Sequence, residues 1–161
     1  MISFKKIRYK NFLSTGNIPI EVELDKSHTT LIVGSNGSGK STLLDALCYA
    51  LFNKPFRIIK KDQMVNTINN GDTIVEVEFE VGTKQYMIRR GIKPNLFEIY
   101  ENDKLINQDA SNIDYQKYLE QNIMKLNYRS FIQVVILGSS SYEPFMKMKP
   151  RYRREVVEEI L

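Results

Sequence analysis

Leu31-Ile32-Val33-Gly34-Ser35-Asn36-Gly37-Ser38-Gly39-Lys40-Ser41-Thr42-Leu43-Leu44-Asp45-Ala46 decides the reading of this chain. Residues 34–41 fit the pattern G-x-x-x-x-G-K-[ST] without deviation. The context is the required one: a short apolar run precedes the motif and a helical pattern follows it. Glycines at 34, 37 and 39 let backbone approach an anion closely. Successive N–H groups then converge on it at the positive end of the helix dipole. Lys40 supplies an ammonium for the β- and γ-phosphates, Ser41 a hydroxyl for Mg²⁺, and Thr42 a donor to a phosphate oxygen. Asn36, Gly37, Ser38 and Gly39 complete the cradle. The motif predicts a nucleoside triphosphate with Mg²⁺ and leaves the base open.

Working outward, Leu31–Val33 reads as a strand covered on both faces, because it is wholly apolar. A helix is expected over residues 40–53. Leu43, Leu47 and Ala50 form one stripe and Leu44, Cys48 and Leu51 the next, so it is mostly buried. Asn53 is the expected terminator and Pro55 forbids continuation. Upstream, residues 2–12 read as a strand with one basic face. Ile18, Ile20, Val22 and Leu24 alternate as a second strand. Downstream, Val75, Val77, Phe79 and Val81 alternate with Glu76, Glu78 and Glu80. Gly82-Thr83 turns the chain and residues 85–90 return it, an antiparallel hairpin with one wet, acidic face. Residues 96–100 add a strand, with Asn102-Asp103 as the next turn. Ser111 can cap a helix running to Leu126. Phe131–Leu137 reads as an apolar strand, and Pro150 opens a last helix that carries Val156, Val157, Ile160 and Leu161.

The whole is expected to be α/β, with a mixed sheet around the phosphate-loop helix plus an antiparallel β region. At 161 residues the chain matches one ordinary domain. Its 42% hydrophobic and 26% charged content excludes fibrous and wholly disordered classes. No apolar run is long enough to span a membrane, and the basic N-terminus is not a secretory signal. The single cysteine, Cys48, excludes a disulfide framework and fits a reducing, cytoplasmic setting. With 23 Lys+Arg against 19 Asp+Glu the formal charge is +4, which permits a polyanionic partner without requiring one. Lys54, Arg57, Lys60 and Lys61 form one basic cluster. Arg89, Arg90 and Lys93 form another, and Lys147, Lys149, Arg151, Arg153 and Arg154 a third. Each reads equally as a solvated face. His28 has no companions at metal-ligand spacing. Asn53-Lys54-Pro55-Phe56 carries Phe where a guanine-recognising N-K-x-D motif needs Asp, which removes the GTPase reading.

Several stretches together carry a resemblance: Tyr9-Lys10-Asn11-Phe12, the run 32–46, Lys54-Pro55-Phe56-Arg57, Arg89-Arg90-Gly91 with Lys93-Pro94-Asn95, and Phe131–Leu137 before the serine-rich loop. The chain resembles the N-terminal ATPase lobe of the SMC-like, SbcC-type DNA-repair ATPases, and most of all their T-even-type phage members. The resemblance implies a P-loop NTPase lobe of ABC/SMC type over residues 1–161, with ATP and Mg²⁺ as ligands. The final helix would lead into a coiled coil. Its implied partners are its own C-terminal lobe, a second head in a homodimer, a metallophosphoesterase-type nuclease subunit and double-stranded DNA, with no membrane, in the host cytoplasm if phage-encoded. It also implies that Val65, Asn66 and Thr67 lie beside the nucleotide. A Q-loop metal ligand falls at Ser139 by position, with Gln133 the one nearby glutamine. Leu13 and Ser14 stand where relatives carry a basic residue. Walker B acids and a signature motif are not found, so half of a composite site is expected. Competing readings are a chromosome-structuring SMC protein, a transporter ATPase, or an interaction module with nucleotide as a structural ligand.

Overall fold

The computed structural model describes residues 2–106, 112–136 and 144–160, with side chains at 112, 113, 159 and 160 excepted. One antiparallel sheet organises them: β1 (Ile2–Lys10), β2 (Ile20–Glu23), β3 (Thr73–Val81), β4 (Lys84–Ile92), β5 (Leu96–Glu101) and β6 (Lys104–Leu105). The spatial order is β2-β1-β3-β4-β5-β6. The alternation read from sequence sorts the residues by face. Ile7, Val75, Val77, Phe79, Ile88 and Ile99 are buried on the inner face, and the helix α1 (Thr42–Phe52) packs there against β1, β3 and β4.

The outer face differs from the wet, acidic one expected. The basic residues of β1 sit beside the glutamates of β3, and register converts two charged strands into an alternating row. Glu21, Arg8, Glu76, Arg89 and Glu98 are consecutive cross-strand neighbours on five strands. Their ion pairs measure 2.7, 3.5, 3.0 and 3.7 Å in that order. Lys5 joins Glu80 and Asp25, each at 3.1 Å. Opposite charges on facing strands attract, so this row pins register as well as neutralising the face.

α1 ends as the sequence predicts. Asn53 takes the left-handed conformation at φ 57° and its N–H closes on the carbonyl of Tyr49. The hairpin, β5 and the Asn102-Asp103 turn also form, both turn residues at positive φ. Ser111 lies outside the described residues. The helix expected after it is α2 (Asn112–Tyr118), continued by a π-helical stretch, Leu119–Met124, that Lys125 ends at φ 54°. α4 (Pro150–Ile160) forms, with Val156 buried.

Two expectations fail. Phe131–Leu137 is not a strand over its described part: α3 (Tyr128–Val134) is a helix. The carboxamide of Asn127 accepts the Ser130 N–H at 2.9 Å, an N-cap that commits the run to helix. Phe131 then packs against Phe52 and Phe4, with ring centroids 5.1 and 5.9 Å apart. A short apolar run carries too little periodicity to separate the two states. Leu31–Val33 is likewise no strand. It pairs with nothing among the described residues, and its side chains are 82%, 46% and 77% exposed. The strand expected over residues 18–24 forms at its centre: Ile20–Glu23 pairs with β1, and the Leu24 N–H adds a bond to Lys5 O at 2.7 Å.

Candidate phosphate-binding site

The site is built where residues 34–41 enter α1. Gly37 and Gly39 hold φ of 84° and 92°, in the left-handed region closed to most side chains. A Cβ at Gly34 would lie 2.5 Å from Ser38 Oγ, so a side chain there would make the Ser38 hydroxyl rotate away. Hydrogen bonds from Ser38 N–H to Ser35 O, 3.2 Å, and from Thr42 N–H to Gly39 O, 3.0 Å, fold the loop on itself.

Lys40 curls back over this loop. Its Nζ donates to Gly34 O at 2.6 Å and Ser35 O at 2.8 Å. An ammonium has three protons, so one remains for an anion in the cradle. The Ser41 side chain makes no capping bond to α1 and its hydroxyl stands at the helix N-terminus. Leu13, Ser14, Asn36, Gly37, Gly39 and Lys40 line a cleft of about 380 Å³ there, with Ser41, Thr42 and Arg57. The polarity, the convergent donors and the absence of a carboxylate from the lining suit a phosphate chain.

Arg57 is a lining residue that sequence reading placed in a basic cluster and in the Lys54–Arg57 stretch, with no role at the phosphates. Asp45, one turn into α1, is fully buried. Its carboxylate accepts the Arg57 backbone N–H at 2.9 Å and Nε at 2.7 Å. This pair folds residues 53–57 back to the phosphate end of the helix. The available signal was a charged residue inside an otherwise apolar helical run.

Val65, Asn66 and Thr67 do not line that cleft. Val65 pairs with Phe12 across an isolated bridge, and Asn66 is buried. The Asn66 carboxamide donates to Leu13 O at 3.2 Å and Thr15 O at 3.0 Å, and accepts the N–H groups of Ile68 and Asn69 at 3.0 Å each. It therefore shapes the loop that carries Leu13 and Ser14 to the cleft. Ser139 lies outside the described residues, while Gln133 sits in α3. Cys48 is fully buried, and burial pushes its thiol up to about 12 with the Asp45 charge adding to it, which makes it a packing residue and no nucleophile. His28 is exposed, and no group of three metal-ligating His, Cys, Asp or Glu occurs among the described residues.

A protein-family profile described as an AAA domain matches residues 6–161. The chain belongs to the AAA domain family. Exonuclease subunit 2 of Enterobacteria phage T4 is 45% identical over all of this AAA domain and 29% of its own length. Its counterpart in Escherichia phage RB69 gives the same values. The DNA double-strand break repair Rad50 ATPase of Thermoplasma volcanium is 30% identical over 98% of the chain and 17% of its own length. The AAA domain thus spans less than a third of these curated relatives. Among solved structures, the Smc head domain of Pyrococcus furiosus, bound to the C-terminal domain of ScpA, superposes with a TM-score of 0.68 at 21% identity, over 99% of this chain and 42% of that one. A chain from a study of ATP-driven dimerization and DNA-stimulated activation of SMC ATPases gives 0.64 at 22%, over 99% of both chains. The AAA domain has the fold of these heads.

The basic clusters of the AAA domain divide by pairing. Arg89 is spent on Glu76 and Glu98. Arg151 and Arg129 share Glu155 at 3.3 and 3.2 Å, so part of the basic cluster at the start of α4 is paired within the chain. Lys54, Lys60 and Lys61 make no ion pair among the described residues.

Proposed function

We propose that the chain is the ATP-binding half of the ATPase head of a DNA double-strand-break repair and recombination nuclease complex. The observation that carries this is Lys40, held on its own loop by two carbonyls at the entry to α1, with left-handed glycines opening the backbone to a phosphate chain. Lys40 binds and orients the β- and γ-phosphates, and Asn36, Gly37, Ser38 and Gly39 surround them. Ser41 holds Mg²⁺ and Thr42 donates beside it. Bound Mg²⁺ supplies charge neutralisation on the phosphates. Asp45 and Arg57 fix the wall of the cleft, and Asn66 fixes the loop opposite.

The exposed Leu31–Val33 supports a composite site. An apolar stretch running directly into the phosphate loop, with no partner strand among the described residues, fits a sheet completed by a C-terminal lobe. A second head, a metallophosphoesterase-type nuclease subunit and double-stranded DNA complete the proposed assembly, in which ATP-driven head engagement gates DNA-end processing. The relatives named above support this reading over a transporter, and no described helix is long and apolar enough to cross a membrane.

Calorimetric titration with MgATP tests it, alongside turnover with and without a supplied C-terminal lobe. Weak ATP binding that is lost in Lys40→Ala, with turnover only when the second lobe is present, is expected. Robust turnover by the pure chain alone, abolished by Lys40→Ala, would overturn the composite site. Failure of the native chain to bind MgATP would overturn the whole reading.

A further inference from the structure

A second basic site lies at the other end of α1. Lys54, Lys61, Lys117 and Asn95 edge a groove of about 320 Å³ whose deep wall includes Arg90 and Phe97, and no carboxylate lines it. The outer sheet face shows the contrast. There Lys5, Lys6, Arg8 and Arg89 all pair with carboxylates. Lys54, Lys61 and Lys117 make no ion pair among the described residues, and all three are exposed. Three exposed ammonium groups thus meet at one groove whose lining holds no carboxylate to neutralise them.

The C-terminus of a helix ordinarily repels anions. Here its carbonyls are already answered. Arg90 Nε donates to Ala50 O at 2.9 Å and Gln116 Nε2 to Leu51 O at 2.9 Å. The Arg90 guanidinium lies 3.7 Å from the Phe97 ring centroid, buried and fixed. Burial pushes it down only to about 10, so it keeps its charge at neutral pH. A fixed cation lies beneath, and long lysines from three separate segments stand around the rim. That arrangement suits a chain of repeated phosphates better than one enclosed anion, and it offers no rigid donor pattern for reading bases.

We propose that this groove binds the phosphate backbone of duplex nucleic acid, through Lys54, Lys61 and Lys117 over Arg90. The proposal rests on the DNA-engaging head above and names the residues of contact.

Fluorescence anisotropy of labelled duplex DNA on the full chain, across a salt series, tests it. Replacing Lys54, Lys61 and Lys117 together by Ala is expected to weaken binding about tenfold or more and to reduce the log–log salt slope by about two to three. MgATP affinity should stay unchanged, since Lys40 lies at the opposite end of α1. The triple Lys→Arg variant should retain binding. Removing the same charge at Lys26, Lys84 and Lys104 should cost less. Equal affinity in the native and triple-Ala chains, or equal loss in the matched control, overturns the groove and leaves the DNA-engaging head standing. No duplex binding by the native chain at low salt overturns both. A polyglutamate peptide that outcompetes duplex at the same lysines overturns the assignment to nucleic acid.

Discussion

The guanidinium of Arg57, 44% exposed at the mouth of the phosphate cleft, closes on the carboxylate of Asp45, which is fully buried inside α1. The pair joins the segment after α1 to the end where α1 begins. Arg57→Ala would leave a buried carboxylate with only the Arg57 backbone N–H. Because solvent reaches the arginine side, the expected cost is about 2 kcal/mol rather than the larger penalty of a fully enclosed pair. Arg57→Lys should recover only part of it, since a single ammonium does not reproduce the guanidinium contact. Urea unfolding of both variants measures this, and an Ala variant as stable as the native chain would disprove the role.

Lys40→Ala should separate binding from folding. The lysine bonds only to loop carbonyls, so its removal is expected to shift stability by less than about 1 kcal/mol while MgATP binding falls below detection. Gly39→Ala should do both harms, adding about 1–2 kcal/mol of backbone strain at a φ of 92°. Paired calorimetry and thermal melts distinguish these outcomes.

Asn66 is expected to matter more than its distance from the phosphates suggests. Asn66→Ala removes four hydrogen bonds from a buried cluster and should cost about 3 kcal/mol. Asn66→Asp keeps the two acceptor bonds and loses the two donor bonds to Leu13 and Thr15. It should loosen that loop and weaken nucleotide binding in a chain that still folds. Amide hydrogen exchange across residues 12–16 reads the loosening directly.

Alkaline conditions should expose Cys48. An unfolded thiol ionises near 9, whereas burial holds the native one at about 12. The native state therefore keeps a proton that the unfolded state releases. Stability should be intact below pH 9 and fall above it, approaching about 1.4 kcal/mol per pH unit towards pH 12. Between pH 9 and 10 the slope should flatten in Cys48→Ala. Above 10 buried Tyr49, also pushed up to about 12, adds its own loss in the same direction. Denaturant midpoints at pH 7, 9 and 10 supply the comparison.

How legible this molecule was follows from the range of the interactions involved. The phosphate loop, α1 with its Asn53 terminator, and the hairpin with its turns were readable, because each is decided by neighbours within a few residues. Asn102 and Asp103 at positive φ illustrate how far local turn chemistry reaches. The alternating row Glu21-Arg8-Glu76-Arg89-Glu98 was readable only in halves. A basic strand and an acidic strand were evident, while their adjacency is a property of topology. Asp45 and Arg57 stayed hidden for the same reason, being 12 residues apart and meeting through a fold-back. The misjudged run Phe131–Leu137 turned on one capping side chain, Asn127. Leu31–Val33 was misjudged because an apolar run reads as a covered strand, and among the described residues this one pairs with no strand.

That uncovered segment governs how the chain behaves as a material. The short outer strand β2 carries Glu21 and Glu23, charges that discourage another chain from adding to the sheet. Leu31, Ile32 and Val33 carry no such gatekeeper. At high concentration they offer neighbouring copies an apolar template of high β-propensity. A partner that covers these three residues beside the phosphate loop therefore shields the chain's one uninterrupted apolar triplet among the large exposed side chains of the described residues.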